Sequence, residues 1–587
     1  MKTFFMSFLG TLVGGIVVFL LIVAIGFLTI GNLSKQEAMP DNIVLSLDLR
    51  NSLSDQAPTA GLEALFGQEG FIDVLTKLDA AAADDRVTGV FIRASEYGIG
   101  SSRAEELRSA LQGMQEAGKF VVAHSQGSYG GGPSGYRAIA TADEIWVQPG
   151  SELIASGISF ETLFLKGLLD NLSISPQIEA LYEYKNSPNG YKESDYTEPH
   201  REAMTRLAES IWTVSLSDIA KDRDVGVEDV RAALESGPLD SDDMIRLKLA
   251  DDAGWPDSAE VSIREQVGEN AEFLSIASYE PETAKFAAPA IAIVGGEGPI
   301  VTGWAEEGIF GSSKSGMSSD TIAHAILDAA SNERVEAIVF RVDSPGGSPV
   351  ASDQIWHAIE IAKTRYNKPV IVSMGSVAAS GGYYVSTGAD WIVANRTTIT
   401  GSIGIYGGKM AIADGLARIG VNASTINVGG PFTGAFTSTD VFTDDQLVLL
   451  RAWLKRGYDR FTSLVAQGRG MTVEEVHERA RGRVWSGEDA LKNNLVDELG
   501  GLLTAIDKAV ELAELDGSED IRLIMYPMQS SGFPFQGGVS ASASANLDTL
   551  SQISAAIADP RVQAMLQEYE ATQAGNIQAR LPAMIER

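Results

Sequence analysis

The sequence predicts two α/β units in tandem, preceded by a membrane anchor. Three observations point there. First, the middle of the chain is written twice. Arg86-Val87-Thr88-Gly89-Val90-Phe91-Ile92-Arg93 recurs as Arg334-Val335-Glu336-Ala337-Ile338-Val339-Phe340-Arg341. Ala142-Asp143-Glu144-Ile145-Trp146-Val147 recurs as Ala389-Asp390-Trp391-Ile392-Val393-Ala394, and the shift stays near 248 residues (Arg86 to Arg334). Second, short apolar runs alternate with stretches of helical spacing in both copies, the pattern of βαβ units and helix-covered sheets. Third, Phe4 to Ile30 carries no charge and is dominated by Phe, Leu, Val, Ile and Gly.

That first segment exceeds the roughly 20 apolar residues that span a bilayer. It is also longer than the apolar region of a cleavable signal peptide, and no Ala-x-Ala site follows it. Residues 1–31 are therefore expected to form an uncleaved anchor. Lys2 favours a cytoplasmic start and Lys35 opposes it, so charge alone sets no orientation. The first repeat is assigned to residues 40–282 and the second to 290–525. Tyr279 to Pro289, with two prolines and little periodicity, reads as the linker. The tail, 526–587, is Ser/Gly/Ala-rich and then weakly helical, and is assigned no chemistry.

In the first repeat, Asn42–Leu49 alternates as a strand, Phe71–Ala82 has helical spacing, and Val87–Ile92 is a continuous apolar run as in a buried parallel strand. Ser102–Ala117 reads as a helix and Phe120–Ala123 as a short strand. The second repeat gives the same order: strand Ile291–Val294, helix Thr321–Ala330, strand Val335–Val342, helix Val350–Thr364, strand Val370–Met374. Arg451–Ala466, Glu488–Asn493 and Leu502–Leu512 are mostly helical.

A chain of 587 residues is too long for one ordinary domain, and two repeats of about 250 residues fit usual domain sizes. The formal net charge of −33 argues against nucleic acid, which needs a basic face. There are no cysteines, so disulfides, a thiolate nucleophile and cysteine-based metal sites are excluded.

The two copies differ where chemistry would sit. The second reads Asp343-Ser344-Pro345-Gly346-Gly347 and Ala378-Ala379-Ser380-Gly381-Gly382; on the repeat alignment, Ser380 corresponds to Pro133. Adjacent glycines after a strand can turn amides toward a developing oxyanion, or can simply make a tight turn. Small neighbours leave Ser380 unshielded at the start of a helical stretch, as a nucleophile or as a plain N-cap. A serine nucleophile needs a base. Of the five histidines, His324 and His357 fall inside amphipathic helices, and only His124, in the first copy's strand-end loop, has a site-like context. Lysine is left as the candidate base.

Three motifs in order, DSPGG, VAASGGYY and TGSIGIYG at 400–407, inside a duplicated chain with an N-terminal anchor, resemble the long, duplicated form of the signal peptide peptidase A (protease IV) family. The likeness runs from about Asn42 to about Leu515. It implies a crotonase-like (Clp protease-like) α/β fold in each repeat and a Ser–Lys dyad that uses no metal or cofactor. Carried over residue by residue, Ser380 matches the nucleophile and Lys185, in Glu183-Tyr184-Lys185-Asn186-Ser187, the general base. Ser402 matches a lysine-orienting serine, and Gly346 and Gly347 the oxyanion loop. A second Tyr-Lys, Tyr191-Lys192, competes for the lysine role; its distance to the Pro199 helix start suits the family less well. The resemblance further implies a homotetramer on the outer, periplasmic face of the bacterial inner membrane, acting on hydrophobic remnant signal peptides. Two other readings stand beside it: a crotonase-type acyl-CoA enzyme, and a membrane scaffold that has lost catalysis.

Overall fold

The computed structural model describes residues 39–515, apart from 52, 58–68, 131, 283 and 306–315, together with 521–527 and the backbone of 579–580 and 585–586. The expected anchor, 1–31, lies outside the described residues. Among those described, no helix is long and apolar enough to cross a membrane.

Each repeat builds one sheet with the same strand order. In the first, the spatial order is Glu272–Ser275, Ile43–Asp48, Val87–Arg93, Phe120–Ser125, Glu144–Val147 and Asp252–Ala253, all parallel. In the second, Arg522–Tyr526, Ala290–Glu297, Val335–Ser344, Val370–Ala379, Trp391–Ala394 and Glu498–Leu499 follow the same parallel path. The apolar runs are buried on both faces, as parallel strands covered by helices must be.

Alternation along these strands sorts side chains into two cores. Ala337, Val339 and Ile371 face a core shared with Leu78, Leu107 and Leu502. Ile338, Phe340 and Val372 face the other way, toward Ile326, Ile355 and Ile359. The helices Phe71–Ala83, Ser101–Glu116 and Leu502–Leu512 therefore lie between the two sheets. Ser319–Ser331 and Pro349–Tyr366 cover the far face of the second sheet, and Pro256–Val267 covers that of the first. Contact between the repeats is thus core-like, not the small polar surface typical of hinged domains.

Charge is buried in that middle layer too. Arg341, fully enclosed on the second sheet, sets Nε 2.8 Å from Asp55 and one terminal nitrogen 2.8 Å from Glu106, both of the first repeat. Glu106 also accepts from Asn395 and from the Leu502 amide. Tyr279, expected to open the linker, is instead buried, and its hydroxyl donates to Asp84.

Two departures from the common plan position the site. Val370–Ala379 is ten residues long, whereas its counterpart Phe120–Ser125 has six. The extra residues pair with Ile399–Gly401, which pairs antiparallel with Val484–Ser486. Separately, Ser175–Ala180 of the first repeat and Tyr406–Ala411 of the second form an antiparallel ribbon.

Candidate active site

The long strand Val370–Ala379 ends at Ser380, and the helix Gly381–Ser386 starts at once. Such a turn forces Ser380 to φ 55° and ψ −110°, a conformation that non-glycine residues rarely adopt. The turn is held by the Ser380 amide donating to Gly401 O (2.8 Å) and by Thr400 Oγ1 donating to Ala378 O (2.7 Å). The N-cap reading fails here, because the Ser380 side chain makes no capping bond to the helix.

The ribbon brings the base. Leu181 donates its amide to Ile405 O and Tyr184 to Arg481 O, so the segment after Ser175–Ala180 is laid against the second repeat. Lys185 Nζ lies 2.7 Å from Ser380 Oγ, 3.0 Å from Ser402 Oγ and 3.1 Å from Ser402 O. All three residues are buried. Among the described residues no carboxylate pairs with Lys185, and burial pushes its amine well below the ordinary lysine range. A neutral amine at this distance is able to accept the serine proton. Gly482, at φ +86°, permits the approach: a Cβ there would stand 2.5 Å from the Lys185 nitrogen. Lys192, the competing lysine, donates to Ile178 O at 2.8 Å instead.

The glycine loop sits on the other side of Ser380. A Cβ on Gly381 would lie 3.0 Å from Gly347 N, and one on Gly382 would lie 2.7 Å from Ser344 O. Both glycines after Ser380 are thus required by the packing of the two loops. Gly346 has φ +96°, and its amide donates to Ser344 Oγ at 3.1 Å. Asp343 opens the loop from a half-buried position. Its carboxylate accepts from the Val377 amide at 3.0 Å and lies 3.4 Å from Arg103 of the first repeat.

The histidines sit elsewhere. His124 is packed in the first sheet with Nε2 against Gly254 O. His324 and His357 are exposed on helices. His477 meets Tyr458. His200 is buried beside Tyr196 and Phe164, where desolvation pulls its pKa down to about 4. Among the described residues no cluster of three or more His, Asp or Glu could hold a metal ion.

Two stretches, 114–269 and 362–516, match the family model described as Peptidase family S49. The chain belongs to that family. The S49 matches fall one on each repeat and start 248 residues apart, the same shift that relates the two copies. The first contains Lys185 and the second contains Ser380 and Ser402. Among relatives, Protease 4 of Salmonella typhi is 31% identical, with 85% of this chain and 83% of that protein covered. Protease 4 of Haemophilus influenzae is 28% identical, with 84% and 83% covered. The chloroplastic serine protease SPPA of Arabidopsis thaliana is 27% identical, with 84% and 72% covered. Among solved structures, a ClpP1 mutant from Listeria monocytogenes aligns with 36% of this chain and 94% of its own at 15% identity, with a TM-score of 0.24.

Several members of this S49 site had no signal in the sequence. The carbonyl of Ser402, Gly482 and the Asp343–Arg103 contact depend on backbone course and on residues far apart in the chain. The identity of Gly381 and Gly382 was visible, but the reason for it, contact with the 344–347 loop, was not.

Proposed function

We propose that this chain is a membrane-anchored serine endopeptidase with a Ser–Lys dyad, degrading hydrophobic remnant signal peptides. The supporting observation is the 2.7 Å approach of Lys185 Nζ to Ser380 Oγ in a buried, carboxylate-free setting. In this reading the neutral Lys185 amine takes the Ser380 proton as Oγ attacks the peptide carbonyl. Ser402 orients the amine through its hydroxyl and carbonyl. The Gly346 and Gly347 amides face the oxyanion, with Gly346 exchanging its bond to Ser344. The lysine proton passes to the leaving amine, and water then hydrolyses the acyl-enzyme, again with Lys185 as base.

An apolar substrate fits the surroundings. Ile158, Phe160, Tyr184, Val377 and Ile399 cluster beside the strand that carries Ser380. Phe4–Ile30 would anchor the chain in the bacterial inner membrane, with the catalytic part on the outer, periplasmic side. Leu163, Leu168 and Leu172, with Ile419, Ile426 and Val428, leave apolar surface exposed, as an assembled homotetramer would require.

A fluorophosphonate probe tests the chemistry. It is expected to label Ser380 in the native chain and to fail in folded Ser380→Ala and Lys185→Ala variants, with peptidase activity lost in parallel. Near-native activity in folded Lys185→Ala overturns the dyad.

A further inference from the structure

Arg103 stands where its own helix least favours a cation. It is the third residue of Ser101–Glu116, in a first turn that holds no acidic residue. Free amides and the helix dipole make that end attractive to negative charge. The guanidinium reaches across to the second repeat instead. One terminal nitrogen lies 3.4 Å from Asp343, 3.5 Å from Glu297 and 3.9 Å from Asp55 of its own repeat. The other donates to Leu53 O at 2.6 Å. The side chain is only 18% exposed, so these carboxylates are its main company.

Asp343 works on two strands at once. Val342 pairs with Met374 and Ser344 with Ala378, so Asp343 alone faces Gly375, Ser376 and Val377. The Val377 amide, left without a strand partner there, donates to the Asp343 carboxylate at 3.0 Å. Asp343 O accepts from the Gly298 amide at 2.9 Å. Gly375 makes the room, since a Cβ there would stand 2.9 Å from Asp343 Cβ. Ser380 follows closely on Val377, and Gly346 and Gly347 follow closely on Asp343. The carboxylate is thus the joint between the strand that presents the hydroxyl and the loop that presents the oxyanion amides.

That joint is crowded with like charge. Burial and then Asp55 push the Asp343 carboxyl up, and Arg103 and Arg341 pull it down. Arg341 is already engaged by Asp55 and Glu106, each at 2.8 Å. Arg103 is the cation in contact with Asp343. The repeat alignment divides this pair as it divides lysine from serine. At the shift that relates the copies, Ser95 stands for Asp343 in the first, and Ala351 stands for Arg103 in the second.

We infer that Arg103 of the first repeat is a positioning residue for the reaction, acting through Asp343 to hold Gly346 and Gly347 in place against Ser380. This rests on the peptidase reading of the site. It makes the first repeat responsible for the oxyanion side of the reaction as well as for the base.

The test is a double-mutant cycle on the full chain with a hydrophobic peptide substrate. Arg103→Met is expected to lower kcat about 10- to 100-fold with KM nearly unchanged, less than the about 100- to 1,000-fold of deleting an oxyanion donor outright. Asp343→Asn removes the charge and keeps an oxygen for the Val377 amide, so it is expected to cost little. Adding Asp343→Asn to Arg103→Met should recover most of the lost rate, and adding Glu297→Gln should not. Arg103→Lys, which keeps the charge, should retain most of kcat. A peptide aldehyde reads the loop itself: Ser380 Oγ bonds to the aldehyde carbon, the serine proton passes to Lys185, and the oxygen is left against the glycines. Its affinity should fall with kcat in Arg103→Met and return in the double variant, with melting curves confirming that each variant is folded. Unchanged kcat in Arg103→Met overturns the proposal. So does a loss that Asp343→Asn fails to recover, or that Glu297→Gln recovers equally well. If Arg103→Met does not fold, Arg103→Gln, alone and with Asp343→Asn, carries the same comparison. Near-native activity in folded Lys185→Ala removes the dyad but leaves the Arg103 cycle readable on kcat. A cycle without rescue, beside an inactive folded Lys185→Ala, removes only the role of Arg103.

Discussion

An amine enclosed as Lys185 is, with two hydroxyls and a carbonyl for company, is more stable without its proton. Two pH effects follow. The labelling rate of Ser380 should fall as pH drops through the lowered amine pKa, about tenfold per unit once the ammonium dominates, and stay level above it. Stability runs on the same group. The unfolded lysine, with a pKa of about 10.4, holds its proton more tightly than the folded one, so folding is penalised below that value and the penalty shrinks as pH rises toward it. A pH series of labelling rates and melting temperatures, run on the native chain and Lys185→Met, reads both. The variant should lose the labelling, melt higher at neutral pH and show a flatter pH dependence. A carboxylate next to Lys185 would hold the proton on, which would move the labelling midpoint up in pH and reverse the sign of the stability dependence.

Elements decide which copy can be active. The repeat was legible because apolar runs and Ala-Asp turns recur at one shift. Strand ends were less so: Val370–Met374 was expected and Val370–Ala379 is found. The extension depends on Ile399–Gly401, a partner about 20 residues further on that no local pattern announces. In the first copy the matching strand stops at Ser125, and Pro133 begins its short helix with ordinary helical backbone, φ −78° and ψ −9°. Decay of that copy is therefore a loss of strand and turn, not only of a hydroxyl. The ribbon Ser175–Ala180 with Tyr406–Ala411 was not foreseen either, yet it delivers the lysine. Gly482 is the sensitive point of that delivery. Gly482→Ala places a methyl against the Lys185 backbone at an unfavourable φ, and is expected to cost about 1–3 kcal/mol in stability. Moving the amine by even about 1 Å should lower kcat about 100-fold with KM nearly unchanged. Steady-state kinetics beside a melting curve checks it; unchanged kcat would mean the lysine segment yields without moving its amine.

At the scale of the molecule, the middle layer holds the repeats in one relative position. Its apolar half was readable from periodicity. Its charged half was not, since Arg341 looks like the twin of Arg93, which reaches Gln126 near the surface. Arg341 instead answers Asp55 and Glu106 from the other repeat with no solvent exposure. Removing one member of such a group strands the others. Arg341→Ala should destabilise by about 3–5 kcal/mol, against little change when the exposed Lys166–Asp170 pair is broken. Urea melts of the two variants separate the cases, and a near-neutral Arg341→Ala would show that water or rearrangement compensates the carboxylates.

The cross-repeat ribbon has one more consequence. Sliding it by a single residue turns every side chain over, so correct register is all or none. In the proposed dyad, a chain that has folded only its first half carries a base with nothing to activate, and its second half alone carries a hydroxyl with nothing to take its proton. If the proposed dyad is the catalytic pair, the protein is harmless to its neighbours during synthesis until both halves have closed on each other, and destructive chemistry begins only with the finished molecule.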